Sequence, residues 1–128
     1  MPDMLSFQAG EGKYRVQLTV TLTGDGIILQ LLGGEKPHLG AVVLSVPRPS
    51  LAVHAGISCN STVVPRLGHK DDEVAKPVAE MVAVATGQPV SVSAGLHIEK
   101  ATEREINLLR ENCRRVAAQL LEFLRRTE

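Results

Sequence analysis

Three of the four histidines stand close behind a glycine or proline: Pro37-His38, Gly68-His69 and Gly95-Leu96-His97. Loops and strand ends display side chains for ligand contact. Neutral imidazoles bind transition metals, and three of them with an open coordination position can activate water. Asp71 or Asp72 could complete such a set. No two of these histidines have a local ligand spacing such as H-x-x-x-H, so only the fold could assemble a small metal-dependent enzyme from them. The plainer alternative is three loop histidines that only form hydrogen bonds. His54 lies in a more apolar run.

A second chemistry-bearing stretch is Gly33-Gly34-Glu35-Lys36-Pro37-His38-Leu39-Gly40-Ala41-Val42. A glycine pair allows close backbone approach, successive N–H groups can cradle an anion, and Lys36 adds a point charge. Neither G-x-x-x-x-G-K-[ST] nor G-x-G-x-x-G is present. A bulge or wide turn between two strands explains the same glycines. In His69-Lys70-Asp71-Asp72-Glu73 the acids suit a helix N-terminus, where they complement the macrodipole. His69 and Lys70 project from the loop before it. Nucleophilic catalysis has no support: neither Cys59 nor Cys113 has a basic neighbour in sequence, and no G-x-S-x-G elbow occurs.

The elements that must position these residues follow from periodicity. Residues 1–12 read as a loose lead-in. Tyr14, Val16, Leu18, Val20 and Leu22 alternate with polar residues, which predicts a half-buried strand. Gly24-Asp25-Gly26 predicts a hairpin turn. Residues 27–32 follow as a strand that is central or covered on both faces. Residues 41–46 predict a third strand stopped by Pro47 and Pro49, the chain turns again over 52–56, and 57–64 predict a fourth strand. Asp71 or Asp72 caps a helix that runs to about Thr86 and closes at Gly87, with Pro77 as an awkward interior residue. Residues 89–98 predict a fifth strand whose small Ser/Gly face expects something packed close. Thr102-Glu103-Arg104-Glu105 is a capping box, and apolar residues from Ile106 to Leu124 recur at steps of three and four. The order β-β-β-β-α-β-α implies an α+β domain over residues 1–128, with a mostly antiparallel sheet of about five strands and two helices on one face.

Fourteen basic and fourteen acidic residues balance, and aromatic residues make up only 2%. Neither nucleic acid nor an anionic membrane has an electrostatic reason to bind, and base stacking lacks its platforms. The two cysteines are far apart and read as buried free thiols, with a structural disulfide as the alternative. No apolar run approaches the ~18 residues that cross a bilayer, and the first residues lack a leader pattern, so a cytoplasmic protein is expected.

Three segments taken together, Gly33–Val42, Gly68–Asp72 and Ser93–Thr102 with Glu105-Ile106, resemble the LpdD-like family. Its members are similar to a small accessory component of gallate-type hydroxyarylic acid decarboxylases, described as a prenylated-flavin chaperone-like domain. The resemblance covers about residues 13–125. It implies an accessory protein that binds, protects or hands over prenylated FMN, or FMN, for a UbiD-type decarboxylase. The cofactor-binding residues it suggests are Gly33, Gly34, Lys36, His38, Gly40, His69, Lys70, Gly95 and His97, with the first four nearest the phosphate and the later histidines and Lys70 at the polar edge of the flavin. An oligomeric assembly module, most simply a homodimer that covers a sheet face or edge, is the remaining reading.

Overall fold

The computed structural model describes residues 3–51 and 56–127. Among these residues, six strands form one sheet: β1 (Asp3–Ala9), β2 (Val16–Leu22), β3 (Ile27–Gly34), β4 (Ala41–Pro49), β5 (Ile57–Pro65) and β6 (Val90–His97). Their spatial order is β1-β2-β3-β6-β4-β5. Helix α1 (Asp72–Thr86) packs over β4, β5 and β6, and helix α2 (Glu103–Arg126) over β1, β2 and β3. Both helices cover the same face, as expected for this α+β pattern.

The period-two residues form the core. Val16, Leu18 and Val20 of β2, Ile27, Leu29 and Leu31 of β3, and Val90, Val92 and Ala94 of β6 are buried beneath the helices. From α2, Leu109, Cys113, Val116, Ala117 and Leu120 meet them. Thr102 and Glu105 form the complete capping box: each side chain accepts from the other's backbone N–H. Gly87 closes α1 in the left-handed region, at φ 67°. Cys113 is buried and Cys59 half-buried, both as free thiols. Burial pushes the Cys113 thiol up to about 12, which leaves it unreactive.

Several expectations change. The lead-in is not loose: residues 3–9 are an edge strand paired with β2 from Asp3↔Leu22 to Ala9↔Val16. Its inward residues are few, and Phe7 finds its partner ring, Phe123, at the far end of the chain. Tyr14 lies in a 3₁₀ turn before β2 rather than in the strand. Strand β3 is central, but only one of its faces is covered, since Ile28 is exposed. Pro47 and Pro49 do not stop β4. Its pairing with β6 ends at Ser45, so the prolines interrupt no ladder on that side. His54, and most of the turn expected around it, lie outside the described residues.

One pairing sets where the loops gather. Strands β3 and β6 run parallel, with Gly34 opposite His97, whereas the other pairs are antiparallel. Helix α1 carries the chain from β5 over β4 to β6. The C-terminal ends of β3, β5 and β6 and the N-terminal end of β4 therefore share one edge of the sheet.

Candidate functional site

That shared edge gathers the three decorated segments. Ala41 pairs with Pro65, so the loop before β4 lies against the loop after β5. Two bonds fix them together: the Arg66 N–H donates to the Gly40 carbonyl at 2.9 Å, and the Arg66 guanidinium to the Leu39 carbonyl at 2.9 Å. The ring centroids of His38 and His69 stand 4.8 Å apart, and those of His38 and His97 6.5 Å apart.

Asp71 organises the cluster. It occupies the N-cap of α1, where an aspartate normally accepts from its own helix. Its side chain makes no such bond. Instead Oδ1 accepts from the Leu96 N–H at 2.9 Å, and Oδ2 lies 2.8 Å from His38 Nε2 and 3.8 Å from His69 Nδ1. The carboxylate is 7% exposed, so it serves the β6 end and the histidines rather than solvent. The other ring nitrogen of His38, Nδ1, donates to the Lys36 carbonyl at 2.9 Å. Both nitrogens thus face acceptors, which suits a doubly protonated ring. The Lys36 carbonyl first, and then Asp71, hold His38 above the usual histidine value, while burial opposes them.

Two glycines make room for this arrangement. A Cβ on Gly40 would fall on the Asp71 carboxylate, and one on Gly95 would fall on the His38 carbonyl. The close-packed partner expected on the small face of β6 is the backbone of the His38 loop. The amides that follow Gly33 are bonded within the fold. The N–H of Gly34 donates to the Arg15 carbonyl, and those of Glu35 and Lys36 to the His97 carbonyl. Gly33 lies within β3 opposite Val16. Lys36 sits at the rim with Glu99, 3.3 Å away, and His97 shares that carboxylate at 3.2 Å. His97, then Lys36, draw Glu99 below the ordinary glutamate value.

Beside the cluster lies a cavity of about 520 Å³, bounded by the N-terminal turns of both helices and the end of β6. His38, His69, Lys70 and His97 line it, with Val74, Leu96, Ile98 and Leu109 as apolar wall. Sequence reasoning missed two of its cations, Lys100 and Arg110. Arg110 is held by Glu73 at 2.7 Å. Among the described residues, neither Lys70 nor Lys100 makes an ion pair. Lys100 also has φ 50°, a left-handed conformation that a non-glycine residue adopts at a cost. Its position two residues before the capping box was the available signal, since the turn into a helix that borders the cavity carries its residues to the cavity wall. The cavity can take a ligand with an apolar body and an anionic end.

Residues 10–125 match the family described as the prenylated flavin chaperone LpdD-like domain. The chain belongs to that family. Among solved structures, the LpdD-like chain is similar to one titled as a novel chaperone complex for yeast 20S proteasome assembly. The two are 18% identical, the match covers 97% of this chain and 95% of the other, and the TM-score is 0.58. At that identity the likeness shows the fold alone. No curated protein matches. The residues present suit a phosphate-bearing flavin: free lysines for the phosphate, histidines for polar ring atoms, and Leu96 and Ile98 in place of aromatic walls. Among the described residues, no helix is long and apolar enough to cross a membrane.

Proposed function

We propose that this chain is a non-catalytic accessory protein that holds prenylated FMN, or a related flavin, for a UbiD-type decarboxylase. The observation that carries the reading is the cavity itself: lysines without ion pairs and a histidine cluster over an apolar wall, in a chain of the LpdD-like family. A volume near 520 Å³ is in the range of cofactor sites. Lys70 and Lys100 meet the phosphate. His69 and His97 meet polar atoms of the ring system, and Leu96, Ile98 and Leu109 bury its apolar face. This moves the phosphate from Gly33 and Gly34, whose neighbouring amides are already bonded, to the lysines across the cavity. Gly40 and Gly95 act by positioning Asp71 and His38.

The open sheet face supports a second element of the reading, a homodimer. Ile28, Val42, Leu44, Val46 and Val64 all stand exposed on it. A second copy would cover this apolar surface and leave the cavity between the helix N-termini free. The setting is cytoplasmic, where the partner enzyme would be met.

Absorbance titration with FMN and with prenylated FMN tests the binding claim. Saturable binding is expected, weakened about tenfold by Lys70→Ala and again by Lys100→Ala, as for loss of one charge-assisted contact each. No binding at high micromolar flavin, together with no effect on decarboxylase maturation, overturns it. Light scattering of the wild type and of Leu44→Glu tests the dimer.

A further inference from the structure

We infer that His38, His69 and Asp71 form a binding site for a divalent first-row transition metal ion. This goes beyond the flavin reading and stands whether or not that reading holds. One ligand atom from each residue lies within 4.8 Å of the others. With metal–ligand bonds of about 2.0–2.2 Å, neighbouring donors stand roughly 3–3.5 Å apart. His38 Nε2 and Asp71 Oδ2, at 2.8 Å, are already near that separation. His69 Nδ1 lies 3.8 Å from Oδ2, and with the three donors spread over up to 4.8 Å, closing on an ion draws them together by roughly 1–2 Å. Its side chain is one-third exposed.

The surroundings of the donors argue further than their spacing. Metal-bound histidine characteristically donates its other N–H to a carbonyl or carboxylate, which fixes the tautomer and the ring plane. His38 Nδ1 does this with the Lys36 carbonyl. A coordinating carboxylate is itself held by a hydrogen bond through its other oxygen. Asp71 Oδ1 has one from the Leu96 N–H. Entry of the ion displaces one proton from His38 Nε2 to solvent and leaves Nδ1–H in place. Two imidazoles and one carboxylate select zinc, iron(II), cobalt(II) or manganese over magnesium and calcium, which prefer all-oxygen sites. The remaining coordination positions are open. With His38, His69 and Asp71 all lining the cavity, an oxygen of a phosphate or hydroxyl group can reach the ion from there.

The test uses the full chain, stripped with a chelator, free of flavin, and titrated with zinc by calorimetry and with cobalt(II) by visible absorption. One ion per chain is expected, with cobalt d–d bands that mark nitrogen and oxygen ligands. His69→Gln is the decisive variant, because among the described residues the His69 ring makes no hydrogen bond whose loss would disturb the fold. It should weaken binding by at least about 100-fold, and Asp71→Asn likewise. His97→Gln should leave affinity unchanged. No uptake of either ion at high micromolar concentration, or equal uptake by wild type and His69→Gln, overturns the inference. Flavin titration in excess chelator separates the two readings: flavin bound without metal leaves the proposed function standing if the metal site fails.

Discussion

The two helix N-termini border the same cavity and use their first turns in opposite ways. At α2, Thr102 and Glu105 cap each other reciprocally, and Glu105 also takes Lys13 at 2.8 Å and the Tyr14 hydroxyl at 3.1 Å. These groups stabilise the helix and tie the 3₁₀ turn to it. At α1, the capping residue Asp71 turns away to Leu96, His38 and His69. The first terminus spends its polar groups on its own helix and the 3₁₀ turn, and the second aims its carboxylate at the end of β6 and the histidine cluster. The lesson is that a residue type favoured at a cap shows a functional commitment when its side chain declines to cap.

The contrast breaks most severely through Gly95. Gly95→Ala places a methyl group on the His38 carbonyl and must push the loop off β6. A loss of about 3 kcal/mol is expected by chemical denaturation, with ligand binding lost, because displaced His38 releases Asp71. An unaffected variant would mean that the loop is not held against the strand.

Alanine at each cap position sharpens the comparison. Asp71→Ala should cost about 2 kcal/mol, because it leaves the Leu96 N–H and His38 Nε2 without their acceptor. Hydrogen exchange locates the damage: Leu96 should lose protection, whereas the first-turn amides of α1 should not. The reverse pattern would make Asp71 an ordinary cap. Thr102→Ala should cost about 1 kcal/mol, expose the amides at the start of α2, and leave metal and flavin binding unchanged.

The smallest effect is on pH dependence. Lys13, then the backbone at Thr102, draw Glu105 down to about 2. A carboxylate whose folded pKa is depressed adds stability above its unfolded value near 4.5 and loses it as pH falls toward about 2. Thermal melting between those limits should therefore be less acid-sensitive in Glu105→Gln than in the wild type.

Much of the fold was legible because it depends on local patterns. Alternation from Val16 to Leu22, the glycine turn at 24–26, the Thr102 capping box and the apolar stripe of α2 each lie within one element. Strand β1 was not legible, since an edge strand needs few inward residues and its Phe7 meets Phe123 only after folding. The extension of β4 through Pro47 was hidden for a related reason: whether a proline is tolerated depends on which neighbouring strand has already ended.

The sequence by itself determined the α+β pattern, the termini of both helices, and the candidate histidines, lysines and glycines. It also supplied the family resemblance that the match over residues 10–125 bears out. Only tertiary structure decided that His38, His69 and His97 meet. The parallel pairing of β3 with β6 and the crossover through α1 bring three strand ends to one edge. Tertiary structure also tied the amides of Gly34, Glu35 and Lys36 to the Arg15 and His97 carbonyls, and brought Lys100 and Arg110 to the cavity that Lys70 lines. Periodicity reports which face a residue takes within its own element. Amide satisfaction, the direction of a carboxylate and the assembly of a charged cavity depend on contacts between residues far apart in the chain.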